Sequence, residues 1–363
     1  MANAYNIPSV TPQSITEQLT DIYADAFEQN TLNEIPSVNL VGPMGVGKSS
    51  IVYEIARRLS SRIGIPVSVR DIRLLNYSPI DLKGVPFADV LKEFTVWLKP
   101  KIFDFSEESG LCIIFLDEIS SAPQSLQAAA YQIVLDKKIG EHSFPENCIV
   151  ICAGNRTVDK SVVFRMPKAL ANRMMHFEIT PDFQSWYEWA LEKGLDSRVI
   201  GYLAFANNKL NAEPHLEELA FTTPRSWEFV SRLLKITGKE PRELHDPVSA
   251  CIGLSAAGEF EAWCKVYKQL PSVADILSGK CTKPVKGMDI TYALLTSLLS
   301  AVMQRGEEIS SQELSNACSY VSRFPADFAA LFFRGLLKME GMNIKLAKVQ
   351  PFLDWSKRNR HFL

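Results

Sequence analysis

Eight consecutive residues, from Gly42 to Ser49, have the types and spacing that bind the phosphates of a nucleotide. They fit the pattern G-x-x-x-x-G-K-[ST], in which the glycines let backbone N–H groups turn toward phosphate oxygens. Lys48 would reach the β- and γ-phosphates, and Ser49 would hold Mg²⁺. The residues that we expect to contact the nucleotide are Gly42, Pro43, Met44, Gly45, Val46, Gly47, Lys48, Ser49 and Ser50.

The elements around this loop must present it to a ligand, and the sequence predicts elements of the right kind. The apolar run Ser37–Val41 leads into the loop and predicts a strand. Apolar residues then recur at helical spacing from Ile51 to Leu59, which predicts a helix whose N-terminus faces the phosphates. A Gly-rich turn without a ligand is the alternative, and the strand-loop-helix order favours nucleotide binding.

Two acids directly follow a second apolar run. The run Leu111–Leu116 predicts a buried strand, and the carboxyl end of such a strand is where α/β folds bind ligands. We expect Asp117 to assist Mg²⁺ and Glu118 to polarise the attacking water, because a metal ligand must stay ionised whereas the other group must accept a hydrogen bond. Two acids here are also typical of a helix N-cap and its first turn, but the phosphate-binding loop favours the functional interpretation.

A third apolar run, Cys148–Ala153, leads into Gly154 and Asn155. The amide of Asn155 could contact the γ-phosphate and hold the attacking water, since it carries both a donor and an acceptor. A turn-forming Asn after Gly is the alternative. Asn155 is therefore a candidate sensor of the third phosphate.

Two arginines are candidates for stabilising the transferring phosphoryl group. Arg173 lies just before the last predicted strand, and Arg225 opens a helix in the later part of the chain. An arginine is more often a solvated surface residue, but hydrolysis needs positive charge at this group, and arginine fingers supply it in cis or in trans.

The predicted fold class is α/β, a parallel sheet flanked by helices and followed by helical regions. Residues 1–180 would form the nucleotide-binding domain, residues 181–285 a smaller helical domain, and residues 286–363 a C-terminal helical region. The five runs that predict sheet strands are Ser37–Val41, Val67–Ile72, Leu111–Leu116, Cys148–Ala153 and Met174–Ile179. The runs that predict helices after residue 181 are Phe183–Leu191, Val199–Phe205, Ser226–Leu234 and Val248–Leu254.

Composition limits the function classes. A chain of 363 residues with 47% apolar content can bury a core, and its net charge of −2 gives no basic footprint for nucleic acid. Seven cysteines without a C-x-x-C pair argue against disulfides and zinc, and we expect Cys112 and Cys152 in the core. The run Ile290–Met303 is too short to span a bilayer and no signal sequence is recognisable, so we expect no membrane association and a cytoplasmic location.

Together, these motifs resemble the AAA+ ATPases of the P-loop NTPase superfamily, and specifically the MoxR-like group. The similarity runs from about Ile15 to Met303, and its finer part lies in residues 78–86, 126–140 and 183–190. The resemblance implies that Asn155 is sensor 1, that Arg173 is the finger offered to a neighbouring subunit, and that Arg225 is sensor 2. Arg165 and Arg156 are rival candidates for the finger.

The resemblance further implies ATP and Mg²⁺ as cofactors and a homo-oligomeric ring, commonly a hexamer, in which a helical lid follows the sheet domain. Similar proteins remodel, mature or activate protein partners in a chaperone-like way, often partners with a von Willebrand factor A domain. The segment Asp81–Pro100 is similar to an insert that projects toward the ring pore. Its alternative is a surface hairpin with Phe87, Phe94 and Trp97 packed inward.

Three other functions compete with this interpretation. A guanine-nucleotide switch is disfavoured because the segment Asn208–Asn211 lacks the Asp of the N-K-x-D pattern and follows no predicted strand. An AAA+ motor or loader on nucleic acid is disfavoured by the weak basic balance. A nucleotide-holding scaffold without hydrolysis is disfavoured by the presence of Glu118 and Asn155.

Overall fold

A computed structural model describes residues 6–105, 110–156, 166–212, 217–267, 270–339 and 341–362. The chain divides into two compact units, Met1–Asp182 and Phe183–Leu363. The further boundary that we expect after residue 285 stays a prediction.

The first unit is built on a parallel sheet. Its described strands, those of two small hairpins included, are β1 Ser9–Val10, β2 Ser37–Val41, β3 Val67–Arg73, β4 Val85–Ala88, β5 Thr95–Leu98, β6 Leu111–Asp117, β7 Lys138–Ile139, β8 His142–Ser143, β9 Cys148–Gly154 and β10 Met174–Ile179. The order across the sheet is β1, β10, β2, β9, β6, β3, and every neighbouring pair is parallel. The carboxyl ends of β2, β6 and β9 therefore meet at one edge.

Helices cover both faces of this sheet. They are α1 Pro12–Glu28, α2 Lys48–Ile63, α3 Pro79–Lys83, α4 Gln124–Asp136 and α5 Lys168–Ala171. Along β6 the side chains alternate between two cores, with Ile113 and Phe115 in the core that includes α1 and α2, and Ile114 and Leu116 in the core that includes α4. Strands buried on both faces read as continuous apolar runs, which is why the sequence predicts them well. The predicted α/β class with a parallel sheet flanked by helices is confirmed, as is the burial of the cysteine at position 112.

The strands β4 and β5 form an antiparallel hairpin with Phe87 opposite Val96. The alternative interpretation of this segment, in which its aromatic side chains pack inward, is wrong for Phe87 and Phe94, which are 62% and 70% exposed, whereas Trp97 is half-buried. A two-stranded ribbon has no second layer of its own that could bury these rings. The hairpin is anchored at its base, where His142 Nε2 donates to the Trp97 carbonyl over 2.8 Å.

The second unit is helical. Its described helices are α6 Phe183–Glu192, α7 Ser197–Phe205, α8 Pro224–Thr237, α9 His245–Ile252, α10 Leu254–Tyr267, α11 Val273–Leu277, α12 Met288–Arg305, α13 Ser311–Val321, α14 Ala326–Leu337, α15 Met342–Leu346 and α16 Gln350–Arg358. One core runs through the unit, from Trp186 on α6 to Trp355 on α16. In the part of the chain that the structure describes, none of the helices combines the length and apolarity that a membrane crossing needs.

One predicted helix of this unit needs correction. The run Val248–Leu254 is not continuous, because Gly253 has φ 85° and separates α9 from α10. The helix α10 is not among the predicted helices, although Ala257, Phe260 and Cys264 recur at helical spacing on its buried side.

Candidate nucleotide-binding site

The phosphate-binding loop connects β2 to α2, as predicted. Gly45 and Gly47 have φ values of 73° and 99°, in the left-handed region that favours glycine. At Gly42 a Cβ atom would lie 2.8 Å from the Ile179 carbonyl oxygen, so a side chain there would collide with the backbone. The loop ends where α2 begins at Lys48, and the N-terminus of a helix attracts an anion through its partial positive charge.

Lys48 joins the loop to the neighbouring strand end. Its Nζ donates to the carbonyl oxygens of Gly42 over 2.7 Å and Pro43 over 2.9 Å, and to Asn155 Oδ1 over 3.1 Å. The ammonium group is thus held over the loop by acceptors that a nucleotide phosphate would have to replace. The structure thereby brings together Lys48 and Asn155, two candidate residues 107 positions apart in the sequence.

Ser49 and Asp117 form the second contact of the site. The Ser49 hydroxyl donates to Asp117 Oδ2 over 3.2 Å, which places two hard oxygen atoms side by side at the carboxyl edge. This donor set fits Mg²⁺, an ion that prefers oxygen and takes one or two protein ligands besides phosphate oxygens and waters. The described residues contain no group of three or more His, Cys, Asp or Glu side chains placed to hold a metal.

Glu118 has an unusual backbone conformation. Its φ is 61°, a left-handed value that costs an L-residue about 1–2 kcal/mol. The Glu118 N–H donates to Asp117 Oδ1 over 2.9 Å, so the two acids share one turn. Backbone strain of this kind is typical of functional sites, and here it lies at the residue that carries the candidate carboxylate.

Tyr53 extends the polar edge by one turn of α2. It lies four residues after Ser49 and donates from its hydroxyl to Asp71 Oδ2 on β3 over 3.2 Å. Partial burial, followed by the negative charge of Asp71, raises the pKa of the Tyr53 hydroxyl. A tyrosine hydroxyl is protonated at neutral pH in any case, and the raised pKa extends the pH range over which it donates to Asp71. Sequence analysis did not identify this pair, because nothing in the linear pattern links position 53 to position 71.

The arginine candidates lie in different places. Arg173 is exposed and directly precedes β10, which begins level with β2, since Met174 pairs with Ser37. Five residues of a strand, at about 3.3 Å per residue, span about 17 Å, so the amino end of β10 lies about 17 Å from the carboxyl ends of the strands. That is farther than an arginine side chain reaches, so Arg173 cannot contact the phosphate-binding loop of its own chain.

The other arginines are placed as follows. Arg156 pairs with Glu178 over 3.4 Å, and both side chains are largely buried. Arg225 is exposed at the start of α8 in the second unit, just after Thr223, whose Oγ1 accepts from the Ser226 N–H. Arg165 lies outside the described residues. The structure thus gives Arg156 an ion-pair partner within the chain, and the roles of all four arginines stay predictions.

Comparison with known proteins locates a family match in the first unit. Residues 38–181 match the family model of AAA, the ATPase family associated with various cellular activities. A search among curated protein sequences found no match.

Several solved structures share low similarity with the chain. PCH-2 of C. elegans is 17% identical over 71% of this chain and 63% of its own, with a TM-score of 0.33. NtrX of Brucella abortus is 14% identical over 72% of this chain and 62% of its own, with a TM-score of 0.37. ORC1 of Aeropyrum pernix, solved in complex with DNA, is 15% identical over 86% of both chains, with a TM-score of 0.39.

The chain thus spans less than two thirds of the first two of these proteins, and no conclusion about function rests on structural similarities this weak. The family match covers the sheet strands from β2 to β10, the phosphate-binding loop and both acids. Residues 38–181 are therefore an AAA ATPase domain with the P-loop fold.

Proposed function

We propose that the protein is a MoxR-like AAA+ ATPase that hydrolyses ATP with Mg²⁺ in a homo-oligomeric ring and thereby remodels, matures or activates a protein partner. One observation carries the ATPase part: Lys48 is hydrogen-bonded to Asn155, and Ser49 to Asp117, where three parallel strands end. Ligands of α/β folds bind at this edge.

Each residue has a role that follows from its chemistry. When ATP enters, Lys48 exchanges its carbonyl acceptors for oxygens of the β- and γ-phosphates, and the N-terminus of α2 adds its partial positive charge. Ser49 and Asp117 would hold Mg²⁺, which when bound neutralises phosphate charge. The Glu118 carboxylate accepts a hydrogen bond from the attacking water, and Asn155 orients that water and contacts the γ-phosphate.

The position of Arg173 supports an oligomer. A site that needs positive charge on the γ-phosphate cannot obtain it from an arginine on the opposite edge of the same sheet. A neighbouring copy could present its Arg173 to this site, as in a closed ring where every subunit both receives and provides a finger. Arg225, in the second unit, would act as sensor 2 by the same resemblance.

The β4–β5 hairpin supports a protein as the partner. Its large exposed apolar side chains are Val85, Phe87, Val90, Leu91, Phe94, Val96 and Leu98, with exposed fractions from 37% to 99%. Contiguous apolar surface of this kind marks sites of protein contact. The charge balance of −2 fits a protein partner better than nucleic acid. A von Willebrand factor A domain protein in the cytoplasm is the partner class that the MoxR-like resemblance suggests.

The experiment is a series of hydrolysis assays with Mg²⁺ at rising protein concentration, combined with particle sizing. We expect the rate per subunit to rise as rings assemble, because each site is completed by a neighbour. A monomeric particle with a constant, appreciable rate would overturn the ring and the finger in trans. Absence of hydrolysis by a sized ring at every concentration, with and without added partner, would overturn the ATPase function itself.

A further inference from the structure

Ser120 lies in the turn after β6 and contacts the end of β9. Its half-buried side chain accepts a hydrogen bond at Oγ from the Asn155 N–H over 2.9 Å. Ser120 is two residues after Glu118, and Asn155 is the candidate sensor on the neighbouring strand. One hydroxyl therefore connects the backbone segments that carry both candidates.

The turn that carries Glu118 is held from several sides. Besides the bond from Glu118 N–H to Asp117 Oδ1, the Ile119 N–H donates to the Ala153 carbonyl over 3.0 Å and the Ser121 N–H donates to the Glu118 carbonyl over 3.0 Å. The Ile119 side chain is 2% exposed, so it anchors the turn in the core. These contacts maintain the left-handed conformation of Glu118 against its tendency to relax.

A buried side-chain amide on α4 is hydrogen-bonded to the backbone of this turn. Gln127, which is 3% exposed, donates from Nε2 to the carbonyl oxygens of Ile119 and Ala122, both over 3.1 Å. Its Oε1 accepts from the Tyr131 hydroxyl over 3.0 Å, so the orientation of the amide is fixed. The turn and α4 therefore form one hydrogen-bonded piece.

Packing fixes the separation between the turn and β9. A Cβ atom on Gly154 would lie 2.7 Å from Ser120 Oγ and 2.9 Å from Ser120 Cβ, so the serine rests directly on the glycine backbone. Both residues of the pair Gly154-Asn155 therefore contact Ser120. The glycine leaves room for the serine side chain, and the Asn155 N–H donates to the serine hydroxyl.

We infer that Ser120 is a positioning residue for hydrolysis, which sets the Glu118 carboxylate relative to the Asn155 amide; the inference rests on the roles proposed for these two residues. The attacking water must bond to both groups at once, so their separation determines whether the water is aligned. When Lys48 leaves Asn155 Oδ1 for the phosphates, the Asn155 backbone remains bonded to Ser120. Ser120 thus keeps the two groups in register while the nucleotide exchanges their other contacts.

The test compares Ser120→Ala with Ser121→Ala, the same change one residue further along. Ser121 is half-buried in the same turn, and the bond described for it uses its backbone N–H. We expect Ser120→Ala to lower kcat about tenfold and to change KM and the affinity for a non-hydrolysable ATP analogue less than about twofold. Ser121→Ala should stay within about twofold of the wild type in all three.

A combination with Glu118→Gln separates positioning from simple stabilisation of the fold. If Ser120 acts through Glu118, Ser120→Ala should lower single-turnover hydrolysis about tenfold in the wild type but less than about twofold in the Glu118→Gln background. Equal factors in both backgrounds, an unchanged kcat, or a change confined to KM would each overturn the inference. Wild-type turnover by Glu118→Gln alone would instead refute the role proposed for Glu118. The single variants therefore distinguish failure of that role from failure of the inference about Ser120.

Discussion

The carboxyl edge of the sheet and the β4–β5 hairpin belong to the same unit but are built in opposite ways. At the sheet edge the polar side chains are bonded to one another, as in the contacts from Lys48 to Asn155 and from Ser49 to Asp117. In the hairpin, Val90 and Phe94 are 99% and 70% exposed. The hydrogen bonds of the hairpin tip are internal, since Asp89 Oδ1 accepts from the backbone of Glu93 and Phe94.

Under the proposed function, this difference corresponds to two tasks. Hydrolysis needs fixed distances, which the hydrogen bonds at the polar edge provide. The proposed contact with a partner needs uncovered apolar surface, which the exposed side chains of the hairpin provide. Changes at the edge should therefore affect hydrolysis, and changes in the hairpin should affect the response to a partner.

The largest effect is expected for a residue that belongs to neither region. Arg173→Ala should lower hydrolysis per subunit about 10³-fold with ATP binding retained, because the γ-phosphate of a neighbour loses its arginine. Mixing this variant with Lys48→Ala subunits, which still carry Arg173, should restore part of the rate. Arg57→Ala, at a surface arginine paired with Glu54, is the control. Failure of every mixing ratio to restore activity would contradict action in trans.

At the edge itself, Glu118→Gln should lower the hydrolysis rate about 100-fold because an amide cannot accept the proton of the attacking water. ATP should still bind and the oligomer should still form, as measured by equilibrium binding and particle sizing. Glu141→Gln, an exposed acid between β7 and β8, should leave hydrolysis unchanged. Loss of nucleotide binding together with hydrolysis would point to damage of the edge rather than of the chemistry.

A smaller effect at the edge is expected for Ser49→Ala, which removes one of the two paired oxygens. The Mg²⁺ concentration for half-maximal hydrolysis should rise about tenfold, while nucleotide binding in the presence of a chelator stays the same. Ser61→Ala, an exposed position on the same helix, provides the control. An unchanged Mg²⁺ dependence would remove Ser49 from the metal site.

The smallest effect on hydrolysis is expected in the hairpin. The double variant Phe87→Ser and Phe94→Ser should leave basal hydrolysis within about twofold and the free energy of unfolding within about 0.5 kcal/mol, because both rings are already exposed. We expect casein, a denatured protein, to stimulate hydrolysis by the wild type, and this stimulation should be lost in the double variant. Phe229→Ser, at a ring 43% exposed in the second unit, is the matched control. Equal stimulation in the double variant would break the division of tasks between edge and hairpin.

In the first unit, the sequence predicts those features that depend on residues adjacent to one another in the chain. The five main strands are readable because both faces are buried, and the phosphate-binding loop is readable because its glycines, lysine and hydroxyl are adjacent. Strand β1 has only two residues, Ser9–Val10, and it forms by pairing with β10 at the side of the sheet. Two residues are too few to show a periodicity from which a strand could be predicted.

Other features depend on residues that are far apart in the sequence. The turn that holds Glu118 in its left-handed conformation depends on Ile119, whose N–H donates to Ala153 and whose carbonyl accepts from Gln127. The role inferred for Ser120 depends on the backbone of Asn155. The exposure of Phe87 could not be read from composition, because an aromatic residue in an alternating strand usually predicts a buried face. Tertiary contacts decide all of these positions.

The single core of the second unit has a consequence for how this protein can vary. Because Trp186 near its start and Trp355 near its end contribute to the same packed interior, the last helices are not a detachable module. A chain shortened after residue 285 would lose α12, whose Leu294 and Leu298 are fully buried, and would leave a hollow apolar shell prone to aggregation. Fusions should therefore be tolerated at the ends of this unit, whereas deletions of its terminal helices and recombination breakpoints within it should not.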